Sequence, residues 1–265
     1  MSDLAGSAPV ALAASLDGPS GAPVLVLGNS LGTSRMVWER QVTTLGERFR
    51  LLRFELPGHG GSAAWPGPYS IGGLGAGVLA LLDSAGVDRA AYCGISLGGM
   101  IGMWLAANAP DRIAALGLVC TSAYLPPADG WRARADQVRA AGLASISAQS
   151  AGRWFTAEFA DREPHVVASF IDELERTDPS GYAGCCLAIA GMDLRAGLSS
   201  IAAPTLVISG ADDPATPPDH GAIIAAGIGG SRARQIVIKG AAHLANVSSP
   251  DEVTAALLNH LGGFG

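Results

Sequence analysis

Short apolar runs bounded by turn residues alternate along this chain with longer stretches whose apolar residues recur every three or four positions. The runs at 24–27, 51–56, 90–93, 116–120, 205–210 and 235–239 read as strands, and the first is as apolar as a strand buried in a parallel sheet. The run at 10–15 alternates in part and is a further strand candidate. Residues 69–82 follow helical periodicity: Ser70 can cap the N-terminus, and Ile71, Leu74, Val78 and Leu81 share a face. The glycines inside it each cost about 1 kcal/mol against alanine. Their spacing is not G-x-G-x-x-G and no strand leads into them, so they are not read as a phosphate loop.

Between 122 and 200 no clear strand occurs. Helical patterns lie at 131–143, 154–159 and 166–174, and strands resume at 205 and 235. Alternating strand and helix on either side of a helical stretch predicts an α/β protein with a mostly parallel, doubly wound sheet and an inserted helical cap. The core would comprise 1–121 and 201–265, and the cap 122–200.

The chemistry is densest at Gly94-Ile95-Ser96-Leu97-Gly98. An apolar run precedes this G-x-S-x-G, and a helical pattern at 100–105 follows. A serine on so sharp a strand-to-helix turn is held clear of its neighbours, and glycines two residues either side let helix and strand approach. Its hydroxyl needs a base, and the base needs a carboxylate. Of the five histidines, His243 follows a late strand and small residues and precedes a helix at 250–261, where a catalytic base belongs in an open α/β sheet. Two adjacent aspartates, Asp212 and Asp213, follow the strand at 205–210, and either can orient that base or cap the turn. The order Ser, Asp, His fits hydrolases with this elbow. The backbone N–H of Leu97 is then a donor for the developing oxyanion.

Composition changes this picture little. The chain has 265 residues, enough for one core plus an insertion, and 49% of them are apolar against 15% charged, which excludes disorder. Net charge is −6 with no basic cluster, so no nucleic-acid partner is expected. Residues 90–110 carry no charge and nearly match a bilayer in length, but four glycines and the elbow serine favour a buried strand and core helix, and no membrane contact is expected. The N-terminus lacks the basic start of a secretory signal. Cys93, Cys120, Cys185 and Cys186 form no C-x-x-C, so reduced thiols, a cytoplasmic location and no metal site are expected.

Four further segments carry a resemblance. Gly28-Asn29-Ser30-Leu31-Gly32-Thr33, the loop Gly58-His59-Gly60-Gly61-Ser62, the segment Gly181-Tyr182-Ala183-Gly184-Cys185-Cys186 continuing to Arg195, and Asp212-Asp213-Pro214-Ala215-Thr216-Pro217-Pro218 together look like the α/β-hydrolase superfamily. Within it the chain resembles the 3-oxoadipate enol-lactone hydrolases. Glu55 stands where these enzymes usually carry aspartate, and the glycines at 72–77 depart from a better helix former. The resemblance selects Asp213 over Asp212, adds the Leu31 N–H as second oxyanion donor, and implies a small anionic lactone as substrate with no cofactor. Asn29, Ser30, Trp131 and Arg134 are the expected substrate contacts, with Arg35 and Arg132 as further cations and His59 as a loop anchor. Oligomeric state, homo-oligomers included, stays open. Another ester, thioester or peracid hydrolase on the same triad is the alternative reading, and a non-catalytic ligand-binding relative is a third.

Overall fold

The computed structural model describes residues 12–65 and 67–263. Its elements, in chain order, are β1 (Ala14–Asp17), β2 (Val24–Gly28), α1 (Glu39–Gly46), β3 (Arg50–Phe54), α2 (Ile71–Ser84), β4 (Ala90–Ile95), α3 (Leu97–Asn108) and β5 (Ile113–Val119). Five helices follow without a strand: α4 (Ala128–Ala141), α5 (Ser147–Trp154), α6 (Ala157–Arg162), α7 (Pro164–Arg176) and α8 (Pro179–Ala190). The chain closes with β6 (Thr205–Gly210), α9 (Pro218–Ile228), β7 (Ala233–Ile238), α10 (Ala245–Ser248) and α11 (Pro250–Leu261).

The seven strands form one sheet in the order β1-β3-β2-β4-β5-β6-β7, with β1 antiparallel to β3 and the other pairs parallel. Every residue of β2, β4, β5 and β6 is buried, which explains why these runs show no polar alternation. The chain winds from β2 outward to β3, then returns to place β4 on the other side of β2. That reversal leaves a crevice beyond the carboxyl ends of β2 and β4, where ligands bind in sheets of this kind.

The register aligns Gly28 with Gly94, so the turn after β2 and the turn after β4 leave the sheet side by side. Helix α3 packs unusually close to this junction. A Cβ on Gly98 would collide with the backbone carbonyl of Gly28, and one on Gly94 with the backbone of Gly98. Only glycine therefore lets the helix start where it does. The backbone N–H of Gly98 donates to the carbonyl of Asn29 at 2.9 Å and locks the two turns together.

The same reasoning accounts for Gly75 of α2. A Cβ on Gly75 would strike the ring of Trp104 on α3, so the lost helix propensity is exchanged for close helix packing. Ser70 caps α2 as expected, its hydroxyl accepting from the Gly73 N–H at 3.0 Å. The buried face runs through Ile71, Leu74, Val78 and Leu82; Leu81, expected on it, is half-buried because Leu82 continues the 3.6-residue stripe.

Two further expectations are corrected. No single helix covers 154–159: α5 ends at Trp154, Phe155 is extended, and Thr156 caps α6 by accepting from the Phe159 N–H at 3.2 Å. The strand expected at 10–15 is observed as Ala14–Asp17; residues 10 and 11 lie outside the described residues. The uncharged stretch 90–110 divides into β4 and α3, and among the described residues no helix is long and apolar enough to cross a membrane.

Candidate active site

Ser96 sits between β4 and α3 with φ 55° and ψ −117°, a left-handed conformation that a side-chain-bearing residue rarely adopts. Its backbone is over-determined: the N–H donates to Val119 O at 2.9 Å, and its own carbonyl accepts from Thr121 Oγ1 at 2.7 Å. The hydroxyl is thereby aimed away from the helix. His243 Nε2 lies 2.9 Å from Ser96 Oγ, and His243 Nδ1 lies 2.8 Å from Asp213 Oδ2. The structure thus brings together three side chains from the ends of β4, β6 and β7.

Partner chemistry sets the proton positions. An ionised carboxylate only accepts, so His243 Nδ1 carries the hydrogen and Nε2 is left to accept the Ser96 proton. Asp213 is buried and held on every side: Oδ1 accepts from the N–H groups of Ala215 (2.8 Å) and Thr216 (3.0 Å), and Oδ2 also accepts from Thr216 Oγ1 at 2.7 Å. Burial alone would raise its pKa. The adjacent His243 and the hydrogen bonds from His243 and Thr216 outweigh that and hold it at about 2. Asp212 points to solvent; its backbone N–H donates to Ala241 O at 3.0 Å.

Of the two expected oxyanion donors, Leu31 lines the cleft that holds Ser96 and His243, and Leu97 follows Ser96 in the chain. Leu97 is the first residue of α3, so its N–H has no acceptor within the helix. Leu31 lies in the turn after β2, closed by Thr33 N–H and Thr33 Oγ1 donating to Ser30 O. The turn is pinned from behind by His59. Gly32 N–H donates to His59 Nε2 at 3.0 Å, and His59 Nδ1 donates to Pro57 O at 2.9 Å. Complete burial depresses the His59 pKa to about 4, so the ring stays neutral and keeps Nε2 as an acceptor.

The expected substrate contacts separate into two groups. Ser30, Trp131 and Arg134 line one narrow cleft together with Leu31, Ser96 and His243. Asn29 does not. It is fully buried behind the turn, where its Nδ2 donates to Phe54 O (2.7 Å) and Glu55 Oε2 (3.2 Å), so it shapes the turn instead of facing the cleft. Arg35 is spent on Glu55, and Arg132 on Asp129 at the surface. A wider surface hollow bounded by Arg35, Arg53 and Asp17 contains none of the three relay residues. Among the described residues no cluster of His, Cys, Asp or Glu is grouped to hold a metal ion.

The sequence reading missed Arg153, Trp154 and Tyr182, which also line the cleft. They come from α5 and α8; Tyr182 lies in the Gly181–Cys186 segment that carries the resemblance, whereas nothing in the local sequence marks Arg153 or Trp154. Arg153 O and Trp154 O accept from the N–H groups of His243 (3.3 Å) and Leu244 (3.0 Å), tying the end of α5 to the loop that carries His243.

Glu55 supplies a pH test of the turn. Its side chain is 4% exposed, and burial raises its pKa to about 7, against the pull of the Arg35 N–H and guanidinium. A carboxyl whose folded pKa is raised stabilises the protein below about pH 4.5, and that contribution is lost as pH rises through 7. His59 acts in the opposite sense, losing stability as pH falls from about 6.5 to 4. Urea unfolding of the native protein and Glu55→Gln at pH 4.5, 5.5 and 6.5 should therefore diverge. The native protein loses about 1 kcal/mol per pH unit relative to the variant as pH rises; parallel curves would remove Glu55 as a buried titrating group.

Residues 23–250 match a family described as alpha/beta hydrolase fold. The chain is 37% identical to 3-oxoadipate enol-lactonase 2 of Acinetobacter baylyi over 94% of its own length and 92% of that protein's. Among solved structures it is similar to the enol-lactonase of Burkholderia xenovorans (TM-score 0.92, 39% identity, 95% of this chain and 96% of that one). It also resembles a hydrolase of Pseudomonas aeruginosa (TM-score 0.91, 43% identity, 95% and 94%).

Proposed function

Since the chain belongs to the α/β-hydrolase fold family, we propose that it hydrolyses a carboxylated lactone, 3-oxoadipate enol-lactone to 3-oxoadipate being the closest fit, through an acyl-enzyme on Ser96. The observation that carries this reading is the Ser96–His243–Asp213 hydrogen-bond relay opening into one cleft, in a chain whose relatives include enol-lactonases.

In this mechanism Ser96 Oγ attacks the lactone carbonyl while His243 Nε2 takes its proton. Asp213 holds the ring tautomer and stabilises the imidazolium. The N–H groups of Leu97 and Leu31 receive the oxyanion; one such donor is worth roughly 2.7–4 kcal/mol in comparable enzymes. Collapse breaks the ring C–O bond and expels the enol oxygen, which His243 protonates. The enol becomes a ketone, so reclosure is disfavoured. Water, deprotonated by the same imidazole, then releases the acid. Helices α4–α8, within 122–200, act as a cap that supplies the far wall of the cleft, and no cofactor enters any step. The four cysteines are free and buried, in keeping with a reducing, cytoplasmic setting.

The test is direct. Ultraviolet absorbance of 3-oxoadipate enol-lactone should decay faster with the protein than in buffer. Decay at the buffer rate, alongside turnover of a simple activated ester, would favour the alternative of another ester hydrolase. Turnover of neither would leave a ligand-binding relative.

A further inference from the structure

We propose that Arg153 is the residue that selects a carboxylate on the substrate, with Arg134 as a second, pre-positioned guanidinium. The cleft would then accept an acyl compound bearing one carboxylate away from the carbonyl that Ser96 attacks. This rests on the reading of Ser96 as nucleophile toward a carboxylated lactone, and it adds which side chain recognises the anion.

Arg134 and Arg153 both line the cleft that holds Ser96 and His243, and among the described residues no Asp or Glu lines it with them. Among the described residues neither arginine forms an ion pair. Most other arginines of the cap are engaged elsewhere: Arg132 with Asp129, Arg139 with Asp136, Arg162 with Glu158, and Arg195 with Asp193. Two uncompensated guanidinium groups beside a nucleophile are costly without an anion, and a bound carboxylate removes that cost.

The two arginines differ in how free they are. Arg134 is held by three neutral acceptors: Nε donates to Tyr182 Oη (2.8 Å), Nη1 to Gln149 Oε1 (3.1 Å) and Nη2 to Ser150 Oγ (3.0 Å). Its plane also lies over the Tyr182 ring at 5.8 Å. Arg153 is half-buried, and among the described residues its side chain donates no hydrogen bond. Partial burial, and then the like charge of Arg134, pull its pKa below that of an ordinary guanidinium, the mark of a cation with no partner. Its backbone carbonyl meanwhile accepts from His243 N–H. That bond sets the Arg153 backbone beside His243, so a carboxylate paired with its guanidinium sits in the cleft that holds Ser96.

Two measurements test this. In the first, kcat/KM is compared for the carboxylated enol-lactone and its methyl ester in native protein, Arg153→Lys and Arg153→Gln, each checked for native melting. The native preference for the anion should fall about 100-fold in Arg153→Gln, mostly through KM, and by a smaller factor in Arg153→Lys. An unchanged preference, or equal loss on both substrates, would overturn the proposal. In the second, adipate is titrated by calorimetry into Ser96→Ala and Ser96→Ala/Arg153→Gln. Binding should weaken at least about 30-fold in the double variant, and equal affinities would reject the assignment. If the native protein hydrolyses no carboxylated lactone yet adipate binding depends on Arg153, the lactone reading fails while the anion site stands. Hydrolysis with an Arg153-independent preference gives the reverse.

Discussion

Ser96→Ala should lower kcat by about 10⁶-fold while leaving the fold intact. The loss is large because the hydroxyl is the only atom in the proposed route that forms the acyl bond, and no neighbour stands in for it. The thiols of Cys93 and Cys120 are buried, and burial raises both far above the range in which a thiolate forms. The fold survives because Ser96 Oγ has one partner, His243 Nε2, whereas the strained backbone is held by Val119 O and Thr121 Oγ1. Alanine keeps those bonds. Turnover of the enol-lactone and circular dichroism on the same preparation decide the matter. Residual activity within tenfold of native, with normal melting, would mean that another group forms the covalent bond.

Asp213→Asn is expected to cost about 10⁴-fold in kcat, and Asp212→Asn less than about twofold. The two residues are neighbours in sequence, yet only one is buried against the base. In Asp213→Asn the amide oxygen can still accept from Ala215 N–H and Thr216 N–H, so the loop keeps its shape. The amide nitrogen then faces His243 Nδ1 as a donor. The imidazole must present a lone pair to it, and the ring hydrogen moves to Nε2, where it faces Ser96 and cannot accept a proton. Steady-state kinetics of both variants would separate them. Comparable losses in the two, or a larger loss in Asp212→Asn, would transfer the role to the exposed carboxylate.

The strands were legible because β2, β4, β5 and β6 are buried end to end, and burial on both faces leaves an apolar run that no surface element imitates. The elbow was legible for a steric reason, since the close approach of β2, β4 and α3 tolerates no Cβ at 94 or 98. The helical stretch α4–α8 was less so. Its α5–α6 break depends on Phe155 being extended and Thr156 capping, details that the apolar pattern at 154–159 conceals. Leu81 and Leu82 are adjacent leucines, and the stripe alone decides which one turns inward.

By itself the sequence determined an α/β sheet with a helical insertion and three candidate reactive groups in the order Ser, Asp, His, because strand burial, turn sterics and chain order are written in local residue type. Asn29 facing inward, the Gly32 amide as the group that His59 anchors, and Arg153 standing beside His243 from another helix were decided only in three dimensions. The reason is physical. A side chain's local sequence sets which bonds it can make, but whether a carboxylate, a carbonyl or an empty cleft lies opposite depends on segments up to about two hundred residues away along the chain.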